Sequence, residues 1–239
     1  MRKKKVMLVF GTRPEAIKMC PLVRELKGRA DFETLVCVTG QHREMLEQVL
    51  ECFQVKPDYD LAIMEPGQTL FDITRKILDG IKPILERERP QAVLVHGDTS
   101  TAFAAGLAAF YLGVSVGHVE AGLRTYDIAA PFPEEFNRQA VDSLTTWFFA
   151  PTEGAKEALL RESKNPDKIY VTGNTAIDAL KRTVRQDYTH PELVWAQEKG
   201  ARFVLLTAHR RENLGEPMLH IFRGIRRVLD EHPEVRVLY

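Results

Sequence analysis

No stretch of this chain approaches the ~20 consecutive apolar residues that a membrane-spanning helix needs, and no segment repeats another or is low in complexity. The basic residues at 2–5 ahead of the apolar run 6–10 imitate a signal peptide, but that run is too short and leads into a turn and a helix. A charge excess is also missing: 33 Lys and Arg stand against 33 Asp and Glu. The chain therefore has no global field with which to hold nucleic acid or an anionic membrane. Cysteine is scarce. Cys20, Cys37 and Cys52 are odd in number and lack a close ligand pairing, which argues for reduced thiols in a cytoplasmic protein over disulfides or zinc. No G-x-G-x-x-G follows any apolar run, so no tightly held nicotinamide is expected; the expectation is an enzyme with no cofactor and no metal.

What is present is a regular alternation. Short apolar runs near 5–10, 34–38, 91–96, 114–119, 147–149 and 168–171 read as strands. Between them, near 14–28, 42–53, 69–88, 99–112, 134–145, 152–163 and 175–186, the apolar spacing reads as helices. Uniformly apolar strands joined by helices predict an α/β fold with a doubly wound parallel sheet covered on both faces, which binds ligands beyond the carboxyl ends of its strands. A charged helix and the polar stretch 186–191 then break the pattern, and a second alternation follows, with strands at 203–206 and 235–239 around a helix at 216–231. The expected organisation is a Rossmann-like domain at 1–173, a connecting helix and linker at 174–190, and the start of a second Rossmann-like domain at 191–239. A single βαβ unit leaves a sheet edge open, so the expectation is also that the chain stops inside that second domain.

The polar motifs sit where the strands end. Gly11-Thr12-Arg13-Pro14-Glu15 can be a capped helix start, or a helix N-terminus facing an anion with Arg13 and Lys18 as cations. In His96-Gly97-Asp98-Thr99, Asp98 is either the N-cap of the next helix or an acid/base group, and His96 either a satisfied core histidine or part of a site. Glu120 closes an apolar strand, where a carboxylate needs a partner or a ligand. Arg124 and Arg138 are the candidate partners. Glu134 and Glu135 open a helix, and one of them suffices as a first-turn residue. His209, Arg210 and Arg211 form either a solvated loop or a set for proton transfer and diphosphate binding. Gly173-Asn174 reads as a helix start.

Taken together, Gly11 to Glu15, Gly40-Gln41-His42, His96 to Thr99, His118 to Thr125, Pro133-Glu134-Glu135 with Asn137-Arg138, and Ala208 to Asn213 resemble the non-hydrolysing bacterial UDP-N-acetylglucosamine 2-epimerases over the whole chain. The resemblance implies two Rossmann-like domains in the GT-B arrangement, the second incomplete here, and a homodimer. It implies interconversion of UDP-GlcNAc and UDP-ManNAc through elimination of UDP and a 2-acetamidoglucal intermediate, supplying cell-surface polysaccharides. Matched by motif, Asp98, Glu120 and Glu134 correspond to the family's catalytic carboxylates and His209 to its essential histidine. Arg13 and Lys18 correspond to cleft residues, with His96, Arg138 and Arg210 alongside as substrate-binding candidates. Gln41 and Arg210 match an allosteric UDP-GlcNAc site, whereas Glu44 and Gly67 depart from it.

The alternatives are a hydrolysing 2-epimerase, whose motifs differ at His96 to Thr99 and Pro133 to Glu135, a GT-B glycosyltransferase, and an inactive nucleotide-sugar-binding fragment. A Ser-Gly-Gly segment that binds uridine diphosphate in the family has no counterpart within these residues. The chain on its own is therefore expected to bind the nucleotide sugar poorly.

Overall fold

The computed structural model describes residues 3–40, 43–198, 200–208 and 213–239. The chain divides into two compact units, Met1–Val184 and Arg185–Tyr239.

In the first unit, β1 (Lys4–Phe10), α1 (Arg13–Lys27), β2 (Phe32–Val38), α2 (Arg43–Cys52) and β3 (Tyr59–Asp60) lead to α3 (Leu70–Glu88) and β4 (Ala92–His96). Then come α4 (Ser100–Tyr111), β5 (Ser115–Val119), α5 (Glu134–Leu144), β6 (Trp147–Ala150), α6 (Glu153–Arg161), β7 (Ile169–Val171) and α7 (Thr175–Thr183). The strands form one sheet in the order β3-β2-β1-β4-β5-β6-β7, and every pairing in it is parallel. The doubly wound parallel sheet expected from the sequence is therefore present.

Strand β1 shows why both faces are covered. Successive side chains of a strand point to opposite faces, so Val6, Leu8 and Phe10 enter one apolar cluster with Met19 and Val23 of α1. Met7 and Val9 enter another with Ile81 and Leu85 of α3 and the alanines of α4. The sheet grows from β1 towards β3 on one side and from β4 towards β7 on the other. This reversal opens a crevice at the carboxyl ends of β1 and β4, flanked by β5.

One close approach fixes the loop after β5. Gly122 has φ +83°, and a Cβ there would lie 2.3 Å from the carbonyl oxygen of Ala155 in α6. Only glycine fits, which lets the polar segment after β5 pack onto α6.

In the second unit, α8 (Pro191–Ala196), β8 (Arg202–Leu205), α9 (Glu216–Glu231) and β9 (Val235–Leu238) form a βαβ unit whose strands pair in parallel from Arg202 opposite Val235. Strand β8 lies one residue earlier than the expected 203–206. Helix α8 and strand β3 were not expected; with six and two residues, neither is long enough to show a period. Among the described residues, no helix is long and apolar enough to cross a membrane, and no group of three His, Cys, Asp or Glu side chains is gathered for a metal ion.

Candidate active site

The turns that follow β1, β4 and β5 enclose a cleft of about 410 Å³, lined by Arg13, Glu15 and Lys18 from α1, by His96, Asp98 and Thr99 from the end of β4, and by Glu120 from the end of β5. Parallel strands bring together residues that are more than a hundred positions apart in the sequence.

Glu120 is the centre of this arrangement. Its backbone has φ +70°, a left-handed conformation uncommon for a residue with a side chain. The strain persists because the backbone is pinned: the N–H groups of Glu120 and Ala121 both donate to the carbonyl of Phe149, at 3.0 and 3.2 Å. Such outliers gather at functional sites. Oε2 of Glu120 accepts the ammonium of Lys18 at 2.5 Å and the side-chain amide of Asn174 at 3.4 Å, and it lies 3.8 Å from Nε2 of His96.

The ion pair of Glu120 is therefore with Lys18, and neither expected arginine is its partner. Arg124 is buried and divides its guanidinium between Asp142 at 2.7 Å and Glu162 at 2.6 Å. Arg138 binds the carboxylate of Asp98 and approaches Glu135 at 3.5 Å. Each arginine lies beside a carboxylate nearer to it than Glu120, and sequence order alone does not show that geometry.

The open choice at Asp98 resolves in the same way. Thr99, not Asp98, caps α4, its hydroxyl accepting the N–H of Ala102 at 3.0 Å. The carboxylate of Asp98 is left free to face Arg138, and its carbonyl is held at 2.9 Å by the amide of Asn137. Thr12 and Glu15 do form the expected capping box. Glu15 does more than cap: it is buried, and besides the N–H groups of Gly11 and Thr12 its carboxylate accepts the hydroxyl of Thr99 at 2.7 Å. Burial pushes its carboxyl pKa up, against the hydrogen bonds from Thr99, Thr12 and Gly11.

His96 is 3% exposed, and its Nε2 has no hydrogen-bond partner. Burial first, then the charges of Lys18 and His118, push its pKa down to about 3, so the ring is neutral in the physiological range. An unpartnered buried polar atom costs about 1–3 kcal/mol, so His96 is not a satisfied core histidine. Arg13 is exposed on the first turn of α1 and makes no ion pair with any described residue. Among the described residues of the cleft it is the cation available to an anionic ligand.

Behind the cleft lies a buried charged set. His118 Nδ1 lies 2.6 Å from Asp142, and its Nε2–H donates to the carbonyl of Gly97 at 2.8 Å. Asp142 also accepts the N–H of Gly122 at 3.2 Å and the guanidinium of Arg124. Burial works against the Asp142 carboxylate, but His118 and Arg124 outweigh it and hold its pKa down. Glu135 is buried at the start of α5 and accepts the N–H groups of Thr125 and Tyr126, both at 3.1 Å, which ties down the loop after β5. Glu134, its half-buried neighbour, lies outside the residues lining the cleft.

The cleft thus gathers Arg13, Lys18, His96, Asp98 and Glu120, with Arg138 joined through Asp98. Gln41, His209 and Arg210 lie outside the described residues. Asn174 was read only as a helix start. It does cap α7, accepting the N–H of Ala176 at 2.9 Å, but its amide also reaches Glu120, a double role no local signal announces.

The sheet and the cleft together define an α/β protein of the doubly wound class, with carboxylates and cations gathered where its strand order reverses. Within that class, the chain belongs to the UDP-N-acetylglucosamine 2-epimerase family, whose model matches residues 24–239. It is 56% identical to the UDP-N-acetylglucosamine 2-epimerase of Bacillus subtilis over 239 residues, which are 100% of this chain and 62% of that protein. The solved structure of a Listeria monocytogenes relative superposes with a TM-score of 0.94 at 55% identity, covering 100% of this chain and 63% of the other. A Neisseria meningitidis UDP-GlcNAc 2-epimerase, solved with UDP-GlcNAc bound, gives 0.87 at 47% identity over 98% of this chain and 66% of its own. The chain spans about 62% of the length of the curated relatives it matches.

Proposed function

We propose that the whole protein interconverts UDP-GlcNAc and UDP-ManNAc by eliminating and re-adding UDP. The proton on sugar carbon 2 moves to a carboxylate, the carbon–hydrogen electron pair becomes the bond between carbons 1 and 2, and UDP leaves carbon 1 with the electrons of the broken carbon–oxygen bond. Return of UDP, with the proton delivered from the opposite face, inverts carbon 2. Such a reaction needs proton carriers beside cationic support for the departing diphosphate. The observation that carries this reading is Glu120, held in a left-handed conformation against Lys18 at the mouth of the crevice.

Asp98, Glu120 and Glu134 are the proposed proton carriers, with His209 as a further acid/base group. Arg13, Lys18, His96, Arg138 and Arg210 bind the substrate, and Gln41 with Arg210 forms an allosteric UDP-GlcNAc site. No cofactor takes part. The domain limits proposed remain 1–173, 174–190 and 191–239. The protein works in the cytoplasm as a homodimer, feeding cell-surface polysaccharide synthesis. The UDP-GlcNAc bound to the Neisseria meningitidis relative supports the choice of nucleotide sugar.

The test is NMR of UDP-GlcNAc with the whole protein in deuterated water. Deuterium at carbon 2 of an intact UDP-sugar, in both epimers, is the expected result. Release of free N-acetylmannosamine would make it a hydrolysing enzyme, and no exchange at all would refute both.

A further inference from the structure

Among the described residues lining the cleft, His96 alone has a buried side-chain nitrogen or oxygen without a hydrogen-bond partner. Of its two ring nitrogens only Nε2 is a buried atom without a partner, and the neutral tautomer that leaves no buried N–H unbonded there carries its proton on Nδ1. Nε2 is then the lone-pair nitrogen, an acceptor. It lies 3.8 Å from Oε2 of Glu120. While Glu120 is ionised both atoms are acceptors and nothing joins them. Once the carboxyl carries a proton, the same two atoms become a donor and an acceptor.

We propose that His96 is a positioning residue whose Nε2 accepts the O–H of Glu120 during the half of the reaction in which Glu120 carries the proton. This deepens the epimerase reading and rests on it. The proton passes from carbon 2 to Oε2 of Glu120, the electron pair stays on the sugar and expels UDP, and His96 takes up no proton at any stage. The terminal torsion of a glutamate is soft, so a small rotation brings the carboxyl from its bond with Lys18 to hydrogen-bond distance of Nε2. A neutral ring suits this role because a protonated one would compete with Lys18 for the carboxylate. With an acceptor waiting, the protonated carboxyl keeps its place in the cleft while another of the proposed proton carriers delivers a proton to the other face of the sugar.

The test uses a substitution that imitates the protonated carboxyl. In Glu120→Gln, the amide oxygen can face Lys18 while its N–H faces His96. Histidine-labelled chain is examined by ¹⁵N NMR, with the His96 signals assigned by their loss in His96→Phe. In the unsubstituted chain, His96 is expected as the Nδ1–H form with Nε2 at the position of an unbonded ring nitrogen. In Glu120→Gln, the Nε2 signal should move upfield as it accepts a hydrogen bond, and in Glu120→Ala it should stay at the unbonded position. An Nε2 signal that Glu120→Gln does not move, or an Nε2–H form in the unsubstituted chain, would overturn the proposal. Because no turnover is needed, this result stands apart from whether the protein is an epimerase. In the whole protein, His96→Phe should lower kcat about tenfold, the worth of one ordinary hydrogen bond, with KM within about twofold. His96→Gln, which supplies an acceptor, should recover part of that loss. An unchanged kcat in His96→Phe would equally count against the role.

Discussion

Thr99 and Glu15, 84 positions apart, share one hydroxyl hydrogen at 2.7 Å, while the oxygen of the same hydroxyl caps α4. This bond joins the turn after β4 to the turn after β1, the two walls of the crevice. Thr99→Val keeps the shape and removes both bonds. The expected loss is about 2–3 kcal/mol, a cap of about 1 plus the cost of an under-bonded buried carboxylate. Urea unfolding would measure it, and Thr99→Ser should restore most of the loss. A loss below about 0.5 kcal/mol in Thr99→Val would mean that the shared hydroxyl does not hold the turns.

Glu120→Gln and Lys18→Met bear on the chemistry. In the whole protein each is expected to lower deuterium exchange at sugar carbon 2 by about 100-fold or more, the usual contribution of a positioned acid/base or charge-stabilising group. Both side chains are partly exposed at the cleft, at 14% and 24%, so melting temperatures should change little. Exchange at the unsubstituted rate in Glu120→Gln would remove Glu120 from the reaction.

The depressed pKa of His96 predicts acid sensitivity. The folded ring titrates near 3, against an ordinary value of 6.5. As pH falls below 6.5, the unfolded chain takes up a proton that the folded chain refuses. The stability is therefore present in full above pH 6.5 and is lost towards pH 3, at a slope of roughly 1.4 kcal/mol per pH unit from this one group. Asp142, held below its ordinary range by His118 and Arg124 despite burial, acts in the same direction at still lower pH. The stability curve of His96→Gln should lose the slope between these pH values and keep the steeper fall below them. An unaltered curve would refute the assignment.

Gly122 and Gly67 separate conformation from crowding. Both have positive φ, +83° and +73°, but a Cβ would strike the Ala155 carbonyl only at Gly122 and meets nothing within 4 Å at Gly67. Gly67→Ala should cost about 1–2 kcal/mol, the left-handed penalty alone. Gly122→Ala adds a backbone clash and should cost about 3 kcal/mol or more. Equal costs in thermal unfolding would show that the loop after β5 yields more easily than its packing indicates.

The sheet was legible, apart from the two-residue β3, because each longer strand carries its own apolar signal and each long helix its own period. The meeting of Arg13, Lys18, His96, Asp98 and Glu120 was legible for a related reason: strands of a parallel sheet end on one side, so the polar residues that follow β1, β4 and β5 converge there, whereas Glu134 lies outside the lining. The pairing within the cleft was not. Lys18 sits a turn and a half into a helix that could equally be an ordinary amphipathic one, and nothing near it in the sequence points to Glu120, 102 positions later. Arg124 and Arg138 stood closer to Glu120 along the chain but were drawn away by Asp142, Glu162 and Asp98. Those carboxylates are brought into range by α5, α6 and the β4 turn. Local propensity decides elements, and the packing of helices against the sheet decides partners.

The left-handed backbone at Glu120 means that endurance and chemistry place opposite demands on one position. Asparagine and glycine adopt that conformation more readily than glutamate. A population of variants selected only for surviving heat is therefore expected to abandon glutamate there early, while one selected for turnover keeps it. The difference between the two outcomes would record, in sequences alone, what the protein forgoes in robustness to keep a carboxylate at the mouth of its crevice.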